Sequence, residues 1–120
     1  MSSLAVILVA LVALLHAYFL VLEMFLWTKP AGRRAFGTTQ EQAEQSKVLA
    51  MNQGLYNGFL AAGLLWGLTL GAAGRGVVIF FLVCVIVAGV FGAVTASRKI
   101  LYVQALPAGV ALVGVVVAGR

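Results

Sequence analysis

The sequence predicts an all-α membrane protein, with four transmembrane helices in an antiparallel bundle. Three observations lead there. Four apolar stretches, at about 4–27, 48–71, 76–97 and 100–119, each approach the roughly 20 residues that a helix needs to cross a bilayer. Together they take up most of a 120-residue chain. Charged residues make up only 9% of it, against about 25% in a soluble domain. Residues 1–120 therefore read as one membrane domain.

The first span, Leu4 to Trp27, is apolar except for His16 and Glu23. Met1-Ser2-Ser3 lacks a basic n-region, and the run exceeds the roughly 7–15 apolar residues of a signal peptide. It reads as a retained span. Residues 28–47 form a loop. Lys29-Pro30-Ala31-Gly32 is turn chemistry after an interfacial Trp27. Thr38-Thr39-Gln40-Glu41 matches a capping box, with Thr38 as N-cap and Glu41 at N3, so a helix is expected from near Thr39 into the second span.

That second span carries Gly54 and Gly58 four apart, then Gly63, Gly67 and Gly71 in the same rhythm. The third has Ala88, Gly92 and Ala96. Small residues at this spacing let helix backbones approach closely in lipid. Packing inside the bundle and a homo-oligomer through the glycine-rich faces both follow from the pattern. Short connections at 72–75 and 98–99 make consecutive helices antiparallel neighbours. Cys84 stands alone in the third span, as a small buried thiol. In the fourth, Pro107 leaves one helical carbonyl without its amide partner.

Charge sets the expected orientation. Lys29, Arg33, Arg34, Lys47, Arg98 and Lys99 fall on one side of the four spans, with Arg75 and Arg120 on the other. The positive-inside rule then places the basic loops in the cytoplasm and both termini outside it. The net charge of +5 sits in loops beside spans, which favours anionic membrane lipids over nucleic acid as partner.

Glu23 is the most informative residue. An ionisable group inside a bilayer costs about 2.5–3.5 kcal/mol on insertion scales. Measured from the cytoplasmic ends of the spans, Glu23, Asn52, Gln53 and Gln104 lie about 6–8 Å deep, Tyr56 and Asn57 about 12–14 Å, and His16 about 16 Å. His16 and Glu23, seven apart, share a helix face. Asn52 pairs with Tyr56, and Gln53 with Asn57, at i, i+4. The expectation is a polar pocket open to the cytoplasm, with Glu23 near its mouth and His16 at its floor. An interhelical hydrogen-bond network that only ties the bundle competes with it, at about 0.6 kcal/mol per bond.

Met51-Asn52-Gln53-Gly54-Leu55-Tyr56-Asn57-Gly58-Phe59 resembles the core of a small bacterial membrane family known as domain of unknown function 1304. His16 through Glu23-Met24-Phe25-Leu26-Trp27, Val85-Ile86-Val87-Ala88-Gly89, and Lys99-Ile100-Leu101-Tyr102-Val103-Gln104-Ala105-Leu106-Pro107 resemble it too. The resemblance covers essentially the whole chain. It implies a four-helix protein of the bacterial inner membrane and carries no activity.

Three functions compete. In the first, the chain binds or converts a small lipophilic molecule. Glu23 and His16 are then the candidate acid and base, and Asn52, Gln53, Tyr56, Asn57, Tyr102 and Gln104 the ligand-binding residues. The sequence has no G-x-S-x-G or H-E-x-x-H motif. A single His can ligate a haem axially, but no binding motif accompanies it, and the cofactor stays unknown. In the second, the chain is a proton-coupled transporter. Small multidrug exporters share the length and a first-span Glu, but theirs lies nearer the membrane centre. In the third, it is a structural subunit of a membrane complex.

Overall fold

Ser2 opens the first helix. Its hydroxyl accepts a hydrogen bond from the Ala5 amide at 3.1 Å, satisfying one of the free N–H groups at a helix start. Helix α1 then runs Ser3–Met24. The computed structural model describes residues 1–118. Among these there is no strand. After α1 come α2 (Pro30–Phe36), α3 (Gln40–Thr69), a 3₁₀ turn (Gly71–Gly74), α4 (Arg75–Thr95), the short α5 (Arg98–Ile100), a π-helical turn (Leu101–Ala105) and α6 (Leu106–Ala118). Gly119, where the fourth predicted span ends, and Arg120, one of the two cations on its side, lie outside the described residues.

Three segments are long and apolar enough to cross a membrane: Ser3–Met24, Gly71–Thr95 and Arg98–Val117. They mark a membrane protein. Their outward residues are large and apolar, with Phe80, Phe91, Val94 and Val113 all well exposed. Continuous apolar faces of this kind are unusual on a soluble monomer. The second predicted span falls in α3. That helix has 30 residues, but it begins with the polar run Gln40-Glu41-Gln42-Ala43-Glu44-Gln45-Ser46-Lys47, and it is not among the three.

The chain divides into two compact units, and α1 and α3 each contribute to both. One joins Met1–Ala13 with the described residues from Ala62 onward. Its core is a set of narrow stripes. Helix α4 buries Val78, Leu82, Val85 and Gly89, at helical spacings of four, three and four. Ala105, Ala108, Ala111 and Val115 are buried on the opposing side. Gly89 lies directly against Ala105, whose backbone nitrogen would be 2.7 Å from a Cβ there. Gly92 lies against Ile100, Gly67 against Val78, and Gly114 against Leu8. The small-residue rhythm expected in this helix, Ala88-Gly92-Ala96, is therefore displaced. Ala88 and Ala96 are exposed, and Gly89 makes the close approach.

The second unit, Leu14–Ala61, holds the second half of α1, all of α2 and nearly three-quarters of α3. Gly54 lies against Glu23 and Met24, and Gly58 against Leu20. Partners in α3 rise as those in α1 fall, so the two segments run antiparallel. The buried face of α3 is a ladder of small residues: Ala43, Ala50, Gly54 and Ala61. The loop ties down through Trp27. Its indole N–H donates to Ser46 Oγ at 3.1 Å, and its ring packs 4.9 Å from Phe36 between centroids.

Two loop expectations need correction. Lys29-Pro30-Ala31-Gly32 is the start of α2 rather than a free turn, with Pro30 in the first helical turn, where its missing N–H costs nothing. Gly37, at φ 67°, ends that helix. The Thr38 amide then bonds the Arg33 carbonyl at 3.0 Å. Thr38 is thus committed to closing α2, and the capping box moves one residue on. Gln42 N–H donates to Thr39 Oγ1 at 3.1 Å, while Thr39 N–H donates to Gln42 Oε1 at 3.0 Å. Thr39→Ala is expected to cost about 1 kcal/mol and to speed amide hydrogen exchange over Gln40–Gln42. Thr38→Val, at a buried hydroxyl with no hydrogen bond, leaves that exchange unchanged.

Around Pro107 the last span departs from regular α-helical geometry. The chain widens into the π turn, and the Leu106 amide reaches back five residues to the Leu101 carbonyl. A proline ring crowds the carbonyl four residues earlier, and one wider turn makes room for it.

Candidate functional site

The candidate site lies in the Leu14–Ala61 unit, between the end of α1 and the middle of α3. Its geometry begins with two glycines. A methyl group on Gly54 would come within 3.1 Å of Glu23 Cβ and 3.3 Å of the Leu20 carbonyl. With hydrogen there instead, the stem of Glu23 lies along the backbone of α3. Gly58 makes the same accommodation for the Leu20 side chain. Asn57 sits between these glycines on the same helical face.

At that place the Asn57 Nδ2 amide donates to Glu23 Oε1 at 2.5 Å. Glu23 is buried, with 9% of its surface accessible. The bond joins residues 34 apart in sequence. A carboxylate can accept several hydrogen bonds, and this one engages Oε1. His16 belongs to the same unit and is fully buried. Its ring meets Phe19 edge-on, 5.4 Å between centroids.

The remaining candidates distribute differently. Asn52, Gln53 and Tyr56 lie on the exposed side of α3, so of its polar face only Asn57 turns inward. Tyr56 packs beside Phe59, 6.1 Å between ring centroids. Gln104 and Tyr102 belong to the other unit. There Gln104 is partly buried and Tyr102 exposed. The close partner that the sequence reading did not assign to Glu23 is Asn57 by itself, framed by Gly54 and Gly58. The small ladder at 43, 50, 54, 58 and 61 was the available signal, since it marks the inward face on which position 57 borders. Among the described residues, no group of three or more His, Cys, Asp or Glu could hold a metal ion.

A family model described as "Protein of unknown function (DUF1304)" matches residues 10–116. The chain belongs to this family. All eight candidate residues of this DUF1304 chain fall inside the matched segment. It is also 34% identical over 106 residues to the uncharacterized protein YpaA of Lactococcus lactis subsp. lactis (strain IL1403), a match covering 87% of this chain and 89% of that protein. No solved structure matches the DUF1304 chain.

Proposed function

We propose that this DUF1304 protein is a four-helix antiparallel bundle of the bacterial inner membrane that binds or converts a small lipophilic molecule through acid–base chemistry at Glu23. The observation that carries the reading is the buried Glu23–Asn57 hydrogen bond. An ionisable group at this depth is expensive and marks function by default. Asn57 orients it, as a general acid or base must be oriented to meet a substrate proton. In this reading α3 is the second of four spans, added to the three that are long and apolar enough to cross. At about 1.5 Å per residue it is about 45 Å long, ample to cross with its polar start in the cytoplasm. The six-to-two distribution of cations supports basic loops inside and both termini outside. In this reading His16 forms the floor of the polar pocket and Asn57 is the α3 residue that faces it, while Asn52, Gln53 and Tyr56 stay on the exposed side of that helix.

Native mass spectrometry of the protein in mild detergent tests the reading, beside a Glu23→Gln sample. Wild type is expected to retain a small mass that the variant loses. A bare protein in both samples would count against a ligand at Glu23.

One observation favours a second reading. The same bond joins two helices, and the glycines flanking Asn57 serve close packing as well as a site. If Glu23 is only a tie, Glu23→Gln preserves function, because a glutamine Oε1 still accepts from Asn57.

A further inference from the structure

A second feature lies away from Glu23, on the outward face of the last span. Tyr102, Leu106, Val110 and Val113 are half or more exposed. With Leu101 and Gly109 they line a shallow, almost wholly apolar groove. The floor is Gly109, where a Cβ would meet nothing within 4 Å. From Leu101 to Val113 the groove follows the helix for about 18 Å, close to the roughly 15 Å of one leaflet's hydrocarbon.

The groove has a charged end. Arg98 precedes Leu101 and Tyr102 by three and four residues, so it stands on the same helical face. Arg98 and its neighbour Lys99 are both exposed. The turn that presents them is fixed by Ser97, whose hydroxyl accepts from the Lys99 amide at 3.2 Å. A shallow apolar groove one leaflet long, with two cations at one end, has the layout of a phospholipid. A second copy fits poorly. Two chains inserted in the same orientation and sharing this face would bring four cations together.

We propose that this groove is a binding site for an anionic phospholipid, with one acyl chain lying along Tyr102, Leu106, Gly109 and Val113 and the phosphate held by Arg98 and Lys99. Charge provides the selectivity and the groove provides the place.

The test titrates the purified full chain in mild detergent with dioleoyl phosphatidylglycerol or dioleoyl phosphatidylcholine and follows lipid adducts by native mass spectrometry. One phosphatidylglycerol is expected to bind several-fold more tightly than phosphatidylcholine. Arg98→Gln is expected to weaken phosphatidylglycerol about fivefold, the effect of one cation near a membrane surface, with phosphatidylcholine unchanged. Gly109→Phe fills the groove at an open position and is expected to weaken both lipids while the thermal midpoint holds. Equal binding of the two lipids by wild type would overturn the proposal. So would an equal loss from Arg34→Gln, which would make the attraction diffuse. A wild-type dimer that Gly109→Phe dissociates, with lipid binding unaltered, would assign the face to a second copy instead.

Discussion

Gly89→Leu is expected to be strongly destabilising, costing about 3 kcal/mol or more. The position explains the size. A Cβ at Gly89 would already stand 2.7 Å from the Ala105 nitrogen and 2.8 Å from its Cβ. The obstacle is backbone, so no rotamer change on the facing segment relieves it. That segment is the π turn, held by the Leu106 to Leu101 hydrogen bond ahead of Pro107. Leucine must therefore push α4 away from it and forfeit the packing of Val85 and Ala105 on either side. Gly89→Ala is expected to show a smaller loss of the same kind. Gly76→Leu, where nothing lies within 4 Å of a Cβ, is the matched control and is expected to leave stability unchanged. Thermal or denaturant unfolding in detergent micelles ranks the three. Equal midpoints for Gly89→Leu and Gly76→Leu would refute the close approach.

The largest functional effect is expected at Glu23. Glu23→Gln keeps an oxygen that accepts from Asn57, so the tie between α1 and α3 survives. Interhelical bonds of this type contribute about 0.6 kcal/mol on average and up to about 1.7 kcal/mol, so even Glu23→Leu is expected to shift unfolding only modestly. Acid–base function is another matter. Removing a positioned general acid or base typically lowers rates by about 10²–10⁴-fold. The expected result is a folded Glu23→Gln protein with loss of that order in whatever turnover or phenotype the family shows. Asn57→Leu is expected to fall between, since Glu23 keeps its carboxylate but loses its orientation. A Glu23→Gln protein that is fully active would remove acid–base chemistry from consideration and leave the carboxylate a structural tie.

The two expectations address different units of the chain. Gly89 acts in the unit that holds α4 and α6, Glu23 in the unit from Leu14 to Ala61. The unfolding midpoint reads the first and the activity of a folded protein reads the second.

Much of this was legible from residue order. Long apolar runs at 4–27, 76–97 and 100–119 can be satisfied only by helices in lipid, because each backbone polar group must be paired within its own segment. Three of the four predicted spans thus correspond to helices of spanning length and composition. Glu23 announced itself by the cost of its charge, and Pro107 by the amide it lacks. These are local or compositional constraints, and they act whatever the neighbours are.

The rest depended on which residue meets which. Two threonines stood at the start of α3, and the choice of Thr39 over Thr38 was made by α2, whose end consumes the Thr38 amide. Ala88 and Gly89 are adjacent, and spacing alone favoured the first. The approach of Ala105 selected the second, because only a side chain of one hydrogen fits there. Asn52, Gln53, Tyr56 and Asn57 formed one broad polar face on paper. Which of them turns to Glu23 was decided by the register of α1 against α3, through Gly54 and Gly58. The sequence by itself determined a helical membrane protein with a buried carboxylate, since hydrophobicity and backbone pairing are properties of each segment. Only the tertiary structure decided that Asn57 is its partner, since a contact 34 residues apart depends on how two helices pack.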